Sequence, residues 1–229
     1  MEIIILAGGF GTRLRSVISE IPKVLAPIKE KPFLEHMLKN FQNNGITRVI
    51  MAVGYKKEYI QEYFGNNYGN MEIAYSIENK PLGTGGAIKK ALSLCNEENV
   101  IVTNGDVFTE INYKELLEHH KNSQGDISLV IKEMKNFDRY GSVKIKDGRI
   151  IEFCEKKKME KGFMSVGCYV FSKHTLLEFE DDTNFSIEKD FFEKEVNSLY
   201  FTPYIYKGQF IDIGIPEDYE LAQQVIGNE

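Results

Sequence analysis

Short apolar runs and helically spaced apolar residues alternate through the first half of the chain. Ile3-Ile4-Ile5-Leu6, Val49 to Val53 and Val100 to Thr103 are brief, β-branched and apolar throughout, the pattern of strands buried on both faces of a parallel sheet. Between them, Pro32 to Asn44 predicts a helix. Proline stands in its first turn, Phe33, Met37, Leu38 and Phe41 fall on one face, and Asn44-Gly45 stops it. Lys56 to Phe64 predicts a second helix with Tyr59, Ile60 and Phe64 as its stripe, followed by a loop over Gly65 to Asn70. Met71 to Ile77 alternates as a half-buried strand does, and Pro81 to Ala87 opens a helix reaching about Cys95. Strand, helix, strand in succession implies βαβ crossovers: an α/β, three-layer, Rossmann-like fold with a mainly parallel mixed sheet.

From about residue 126 the texture turns to strands. Ile127 to Ile131, Ser142 to Ile145, Ile150 to Phe153 and Met164 to Phe171 are short and apolar, and Lys146-Asp147-Gly148-Arg149 marks a tight hairpin between two of them. A helix over Asn184 to Asn197 follows, with Ser186 as its cap, then strands over Leu199 to Tyr206 and Phe210 to Ile213, and a closing helix after Pro216. The expectation is a single domain over 1–229, its halves meeting near residue 125, with a β-rich insertion in the second half.

Composition narrows the function. The chain has 229 residues, 42% hydrophobic and 27% charged, enough for a substantial core in a soluble protein. Neither a leader pattern nor an apolar run of membrane length is visible, which leads to an expectation of a cytoplasmic location without membrane contact. A net charge of -6 argues against a broad nucleic-acid footprint but permits a local cationic cleft. Arg13, Arg15 and Lys23 are candidates for that cleft, while Lys29 and Lys31 read as solvated surface. Cys95, Cys154 and Cys168 are odd in number and widely spaced, so they read as reduced thiols, and the four histidines lack metal-ligand spacing.

Candidate chemistry begins where the first strand ends. Gly8, Gly9 and Gly11 strip side chains from a turn whose backbone N–H groups can close on phosphate oxygens; Arg13 follows with a planar donor fork, and Pro22 fixes the backbone before a second cation, Lys23. The string is neither a P-loop, since G-x-x-x-x-G-K-[ST] is absent, nor a dinucleotide fingerprint, since counting from Gly9 the third glycine is replaced by Leu14. A second glycine cluster, Gly83 to Gly86, stands at a helix start. It permits either close approach of a ligand or close helix packing. Asn104-Gly105-Asp106 lies at the carboxyl end of a strand, where open α/β sheets place ligands. Asp106 reads there as a hard oxygen ligand for magnesium, or as the cap of a turn.

Taken together, L-A-G-G-x-G-T-R-L, P-K, P-L-G-T-G-G-A, N-G-D, R-Y-G, E-K and D-I-G-I-P-E-D-Y resemble the sugar-1-phosphate nucleotidylyltransferases over essentially the whole chain. Within that family, R-L-R-S-V-I, A-P-I-x-x-K-P-F-L-E and N-F-D-R-Y-G are similar to the D-glycero-D-manno-heptose 1-phosphate guanylyltransferases. The resemblance implies GTP and a sugar 1-phosphate as substrates, with Mg²⁺ held by Asp106 and Asp212. It places the nucleotide on Leu6, Ala7, Gly8, Gly9, Gly11, Thr12, Arg13 and Lys23, with Asn104 and Gly105 beside them. Glu78, Pro81, Gly83 and Thr84 would meet the base. The sugar phosphate would meet Gly141, Glu155, Lys156 and Gly167, although Ser165-Val166-Gly167 departs from the N-A-G of many relatives. Arg13, Lys23 and Asp106 carry catalysis in this reading. The attacking phosphate is already anionic, so no general base is needed. Mannose 1-phosphate with GTP, other sugar and nucleotide pairs, and a non-catalytic nucleotide-sugar sensor are the alternatives. Relatives that continue into a hexapeptide-repeat β-helix are bifunctional; the end of this chain leads to the expectation of one activity.

Overall fold

The computed structural model of the protein describes residues 1–9, 14 and 21–227. Strand β1 (Glu2–Leu6) is buried along all but its last residue, as an unbroken isoleucine run requires. A 3-10 turn, Lys23–Leu25, and a ribbon of two short strands, β2 (Pro27–Ile28) and β3 (Lys31–Pro32), lead into helix α1 (Phe33–Asn43). Then come β4 (Arg48–Val53), α2 (Lys57–Phe64), β5 (Asn67–Tyr68), β6 (Met71–Ile77), α3 (Gly83–Leu92), β7 (Asn99–Asn104), β8 (Val107–Thr109) and α4 (Tyr113–Ser123).

Strands β7, β1, β4 and β6 stand side by side in that order, every pair parallel. Alternation along β1 creates the three layers. Ile3 and Ile5 pack in one core with Phe33, Met37, Leu38 and Phe41 of α1 and Ile60 of α2, whereas Ile4 points to the other face and joins Ile88, Ala91 and Leu92 of α3. The chain steps outward from β1 to β4 to β6, then returns past β1 to lay down β7 on its other side. Order therefore reverses between β1 and β7, the place where open α/β sheets form a crevice at the carboxyl ends of their strands.

The second half extends this sheet. It comprises β9 (Ile127–Phe137), β10 (Ser142–Lys146), β11 (Arg149–Cys154), β12 (Met159–Ser172), a π-helical run Ile187–Phe192 continuing into α5 (Glu193–Glu195), β13 (Phe201–Ile205), β14 (Phe210–Asp212) and α6 (Pro216–Val225). Strand β12 pairs antiparallel with β7, Cys168 opposite Thr103, and this ladder joins the halves into one ten-stranded mixed sheet. Strands β8 and β14 form a small separate ladder in which Asp212 lies opposite Val107.

Several expectations change in detail, among them the strands expected over 127–131 and 164–171, which run over Ile127–Phe137 and Met159–Ser172. The loop over residues 65–70 holds β5, which pairs Asn67 and Tyr68 with the start of β6. Helix α3 stops at Leu92, three residues before Cys95. Helix α4 was not foreseen, although Asn112 caps it by accepting the Glu115 N–H at 3.2 Å, and Tyr113, Leu116 and His120 form its buried face. The predicted helix over 184–197 is shorter and wound as a π-helix, with Ser186 capping it as expected by accepting the Lys189 N–H. The Asp147-Gly148 turn has positive φ at both residues, as a tight hairpin twisted with its strands needs. Among the described residues no helix is long and apolar enough to cross a membrane.

Candidate active site

Two cavities open at the carboxyl edge of the sheet and meet. The first, about 560 Å³, is walled by Leu6, Ala7, Gly8 and Gly9 on one side and by Glu78, Pro81, Gly83 and Thr84 on another. The second, about 490 Å³, lies under the β-rich half and is walled by Tyr140, Gly141, Lys156, Gly167 and Asp212, among others. Gly9, Lys23, Thr84, Asn104 and Asp106 line both and form the seam.

The seam is built from strand ends. Gly105 N–H donates to the Leu6 carbonyl at 3.0 Å, so the turn after β7 is tied to the end of β1. Only glycine fits there: a Cβ on Gly105 would lie 2.6 Å from the Leu6 carbonyl oxygen. Gly105 therefore lies behind the wall and sets the position of Asp106. Asp212 comes from the opposite end of the sequence. The β8–β14 ladder carries it in, and the Ile213 N–H closes on the Asp106 carbonyl at 3.0 Å.

Lys23 enters from the turn after Pro22. Its Nζ lies 2.5 Å from Asp106 Oδ2 and 3.9 Å from Asp212 Oδ1. Asp212 also accepts the Gly214 N–H at 2.8 Å. Burial, reinforced by the charge of Asp106, pushes the Asp212 carboxyl above the usual carboxylate range, and Lys23 opposes the shift. Two carboxylates turned onto one cation are a hard-oxygen pair that fits a divalent metal. Among the described residues no third acidic, His or Cys side chain completes a cluster, so further ligands would be water or substrate oxygens.

In the first cavity, Glu78 Oε2 accepts the Leu82 N–H at 3.1 Å, and burial raises its pKa. Here the glycines of the second cluster serve packing. A Cβ on Gly85 would meet the Phe185 ring at 2.1 Å and one on Gly86 the Thr183 carbonyl at 2.2 Å; even on Gly83, at the cavity wall, a Cβ would meet the Phe185 carbonyl at 2.4 Å. The segment from Thr183 to Ile187 straps this helix start to the second half. Asn184 donates to the Pro81 carbonyl at 2.7 Å, and the Ile187 N–H donates to Thr84 Oγ1 at 2.9 Å.

In the second cavity, Tyr140 stacks edge-on against Phe210 at 5.5 Å, and burial, with the nearby Asp212 charge, holds its hydroxyl protonated. Arg139 lies over the Tyr140 ring and pairs with Asp218 of α6 at 2.6 Å. Lys156 lines the cavity, whereas Glu155 is exposed and stands outside both walls. The wall instead holds Glu188, a surface-exposed carboxyl in the field of Lys156. Sequence reading missed it, because nothing local distinguishes this Glu from its acidic neighbours. Gly11, Thr12, Arg13 and Arg15 lie outside the described residues.

Comparison with known proteins gives the family and the fold. The profile of the Nucleotidyl transferase family matches residues 2–229. The D-glycero-alpha-D-manno-heptose 1-phosphate guanylyltransferase of Aneurinibacillus thermoaerophilus is 47% identical over 98% of this chain and 97% of its own. The protein of that name from Campylobacter jejuni is 43% identical over 96% of this chain and 97% of its own. Among solved structures, HddC from Yersinia pseudotuberculosis complexed with GMP-PN superposes with a TM-score of 0.87 at 38% identity, covering 97% of this chain and 98% of that one.

Proposed function

The chain belongs to the nucleotidyl transferase family, and from that premise we propose that it transfers GMP from GTP to D-glycero-alpha-D-manno-heptose 1-phosphate. The observation that carries this reading is the pair of cavities sharing Lys23 and Asp106, a geometry suited to two anionic substrates that must touch at one phosphorus. The guanylyl side rests on the relatives at 47% and 43% identity and on the HddC complex with GMP-PN. The residues to about 125 supply most of the nucleotide cavity and those from about 126 most of the sugar cavity, with Asp212 returning to the seam.

A phosphate oxygen of the heptose 1-phosphate attacks the α-phosphorus of GTP. The new O–P bond forms as the bond to the β-phosphate oxygen breaks, and pyrophosphate leaves with the electron pair. No proton moves, so the chain needs no general base. It must hold two anions together, and positioning with charge supplies the rate. Lys23 and Arg13 hold the triphosphate and the departing pyrophosphate, and Lys156 holds the acceptor phosphate. Glu78 accepts from the base, with Leu6, Ala7, Pro81, Gly83 and Thr84 around it. Gly8, Gly9, Gly11 and Thr12 present backbone to the phosphates. Tyr140 and Gly141 flank the sugar, and Glu188 accepts its hydroxyl hydrogens, a role Glu155, outside both cavity walls, is less well placed to fill. Mg²⁺ on Asp106 and Asp212 would offset charge on the α-phosphate by several kcal/mol. We place the reaction in the cytoplasm, where free thiols such as Cys95, Cys154 and Cys168 persist.

Pyrophosphate release with Mg²⁺, over four ribonucleotides and dTTP against heptose and mannose 1-phosphates, tests the proposal. Turnover confined to GTP with heptose supports it. Mannose 1-phosphate differs by one hydroxymethyl group, worth ~1–3 kcal/mol of discrimination. Preference for it, or for another nucleotide, overturns the substrate, and silence across the matrix overturns the activity.

A further inference from the structure

We infer that Lys23 is the counter-ion of the Asp106–Asp212 pair, so that binding of a divalent cation and binding of the triphosphate are coupled through the release of this one ammonium. The inference rests on the reading above and concerns what holds the site together before substrates arrive.

The backbones of Asp106 and Asp212 are tied together. The Ile213 N–H is bonded to the Asp106 carbonyl, and the Asp212 carboxylate is pinned by the Gly214 N–H. Two carboxylates fixed side by side repel unless a cation stands between them. Arg139 lines the same cavity, but its guanidinium is committed to Asp218 at 2.6 Å. Lys23 supplies the charge to both carboxylates, at 2.5 and 3.9 Å. Its backbone is as fixed as theirs, because the Leu25 N–H bonds the Pro22 carbonyl at 2.8 Å and the Ala26 N–H bonds the Lys23 carbonyl at 3.0 Å. Only the flexible stem of the lysine can move.

A divalent cation on the carboxylate pair needs the Asp106 oxygen that the ammonium now holds. It therefore binds against the cost of expelling Lys23, and alone it binds weakly. Among the described residues, no carboxylate outside this pair belongs to the seam shared by the two cavities to receive the expelled ammonium. Its stem lies at the junction of both cavities, so the group that can receive it is a phosphate placed there. Triphosphate thus removes the cost of metal entry, and metal removes the competitor for the lysine that triphosphate uses. Coupling of this kind is reciprocal.

The test is metal binding without nucleotide, which needs no turnover. Mn²⁺ titration followed by electron paramagnetic resonance is run on the native chain, Lys23→Gln, Lys23→Arg and the double variant Lys23→Gln/Asp106→Asn. Removing the competing charge tightens Mn²⁺ by about 5-fold or more in Lys23→Gln, leaves Lys23→Arg near native, and gives no gain in the double variant. Unchanged or weaker binding in Lys23→Gln, or a gain that survives Asp106→Asn, overturns the inference. If the Gln variant does not give a native circular dichroism spectrum, Lys23→Met is read in its place. A measurement on the native chain separates displacement from mere repulsion: nitrogen-detected exchange of the Lys23 ammonium protons with Mg²⁺. Slow exchange without Mg²⁺ that becomes fast at saturation supports release, and exchange that stays slow contradicts it. Pyrophosphate release by the native chain is independent of either outcome, so failure here and failure of the proposed function are distinguishable.

Discussion

Substituting Gly105 by alanine places one methyl group where the structure has no room for it. The added Cβ would lie 2.6 Å from the Leu6 carbonyl oxygen, 3.1 Å from Val24 Cγ1 and 3.2 Å from Ile5 Cγ2. Side-chain carbons essentially never approach an atom closer than 3.0 Å, so the turn must back away by at least about 0.4 Å. Its obstacle is backbone of a buried strand, which cannot yield as a side-chain tip can. Retreat lengthens the 3.0 Å bond from the Gly105 N–H to Leu6 and carries Asp106 away from Lys23 and Asp212. Overpacking of this kind costs ~1–3 kcal/mol. A misplacement approaching 1 Å at a reacting centre costs up to roughly 100-fold, so kcat should fall by about 10- to 100-fold with a smaller change in KM. Gly9 is the control. Among the described residues a Cβ there meets nothing within 4 Å, so Gly9→Ala should leave stability within ~0.5 kcal/mol of native and reveal only whether bare backbone matters to the nucleotide. Urea denaturation and steady-state pyrophosphate release on both variants decide the matter. A Gly105→Ala variant with native stability and native kcat would refute the steric reasoning, as would a Gly9→Ala variant that loses stability equally.

Three further outcomes are expected. Gly85→Ala drives a methyl into the Phe185 ring, which is backed by Phe179 stacked at 4.0 Å, and should cost ~1–3 kcal/mol in urea melts; an unchanged midpoint would show that the strap yields. Lys156→Ala removes a charge-assisted contact to the acceptor phosphate, so KM for the sugar phosphate should rise by roughly 10- to 100-fold with KM for GTP unmoved, and Glu188→Gln should raise the sugar KM by a smaller factor. Glu2 gives an acid-limb test. Burial works against its charged form, but the Glu97 N–H, the Arg48 guanidinium and the Asn96 N–H outweigh it and hold the carboxyl below the usual range. A depressed pKa means stability present above the unfolded value near ~4.3 and lost as pH falls through the folded one. Glu2→Gln should therefore cost ~1–3 kcal/mol at pH 7 and flatten the loss of stability below about pH 4; parallel curves for the two proteins would exclude this role.

Local pattern was enough wherever one element decides its own conformation. β1 and β6 were legible because runs and alternation of apolar residues specify strands without outside help, and the Asp147-Gly148 hairpin because its backbone needs those residues. The location of the seam was legible too, since the glycine cluster after β1 and the Asn104-Gly105-Asp106 turn after β7 mark strand ends. What depends on distant partners was not. Asp212 reaches Asp106 through a three-residue ladder, and only resemblance pointed to it. The roles of Gly85 and Gly86 stayed ambiguous because ligand approach and packing against Phe185 ask for the same residue. Glu188 enters the sugar cavity on a π-helical turn held by Thr84, a contact between residues 103 positions apart. Helix α4 does carry a local signal, an Asn cap before apolar positions at helical spacing.

The most direct test of the two-cavity account is a crystal structure of the protein with its expected product, GDP-heptose. The account predicts guanine between Gly8 and the Glu78 to Thr84 wall, the heptose against Tyr140, Gly141 and Glu188, and the diphosphate on the seam within reach of Lys23. A product bound with both its base and its sugar in one cavity, or with its diphosphate away from Lys23, Asp106 and Asp212, would contradict it.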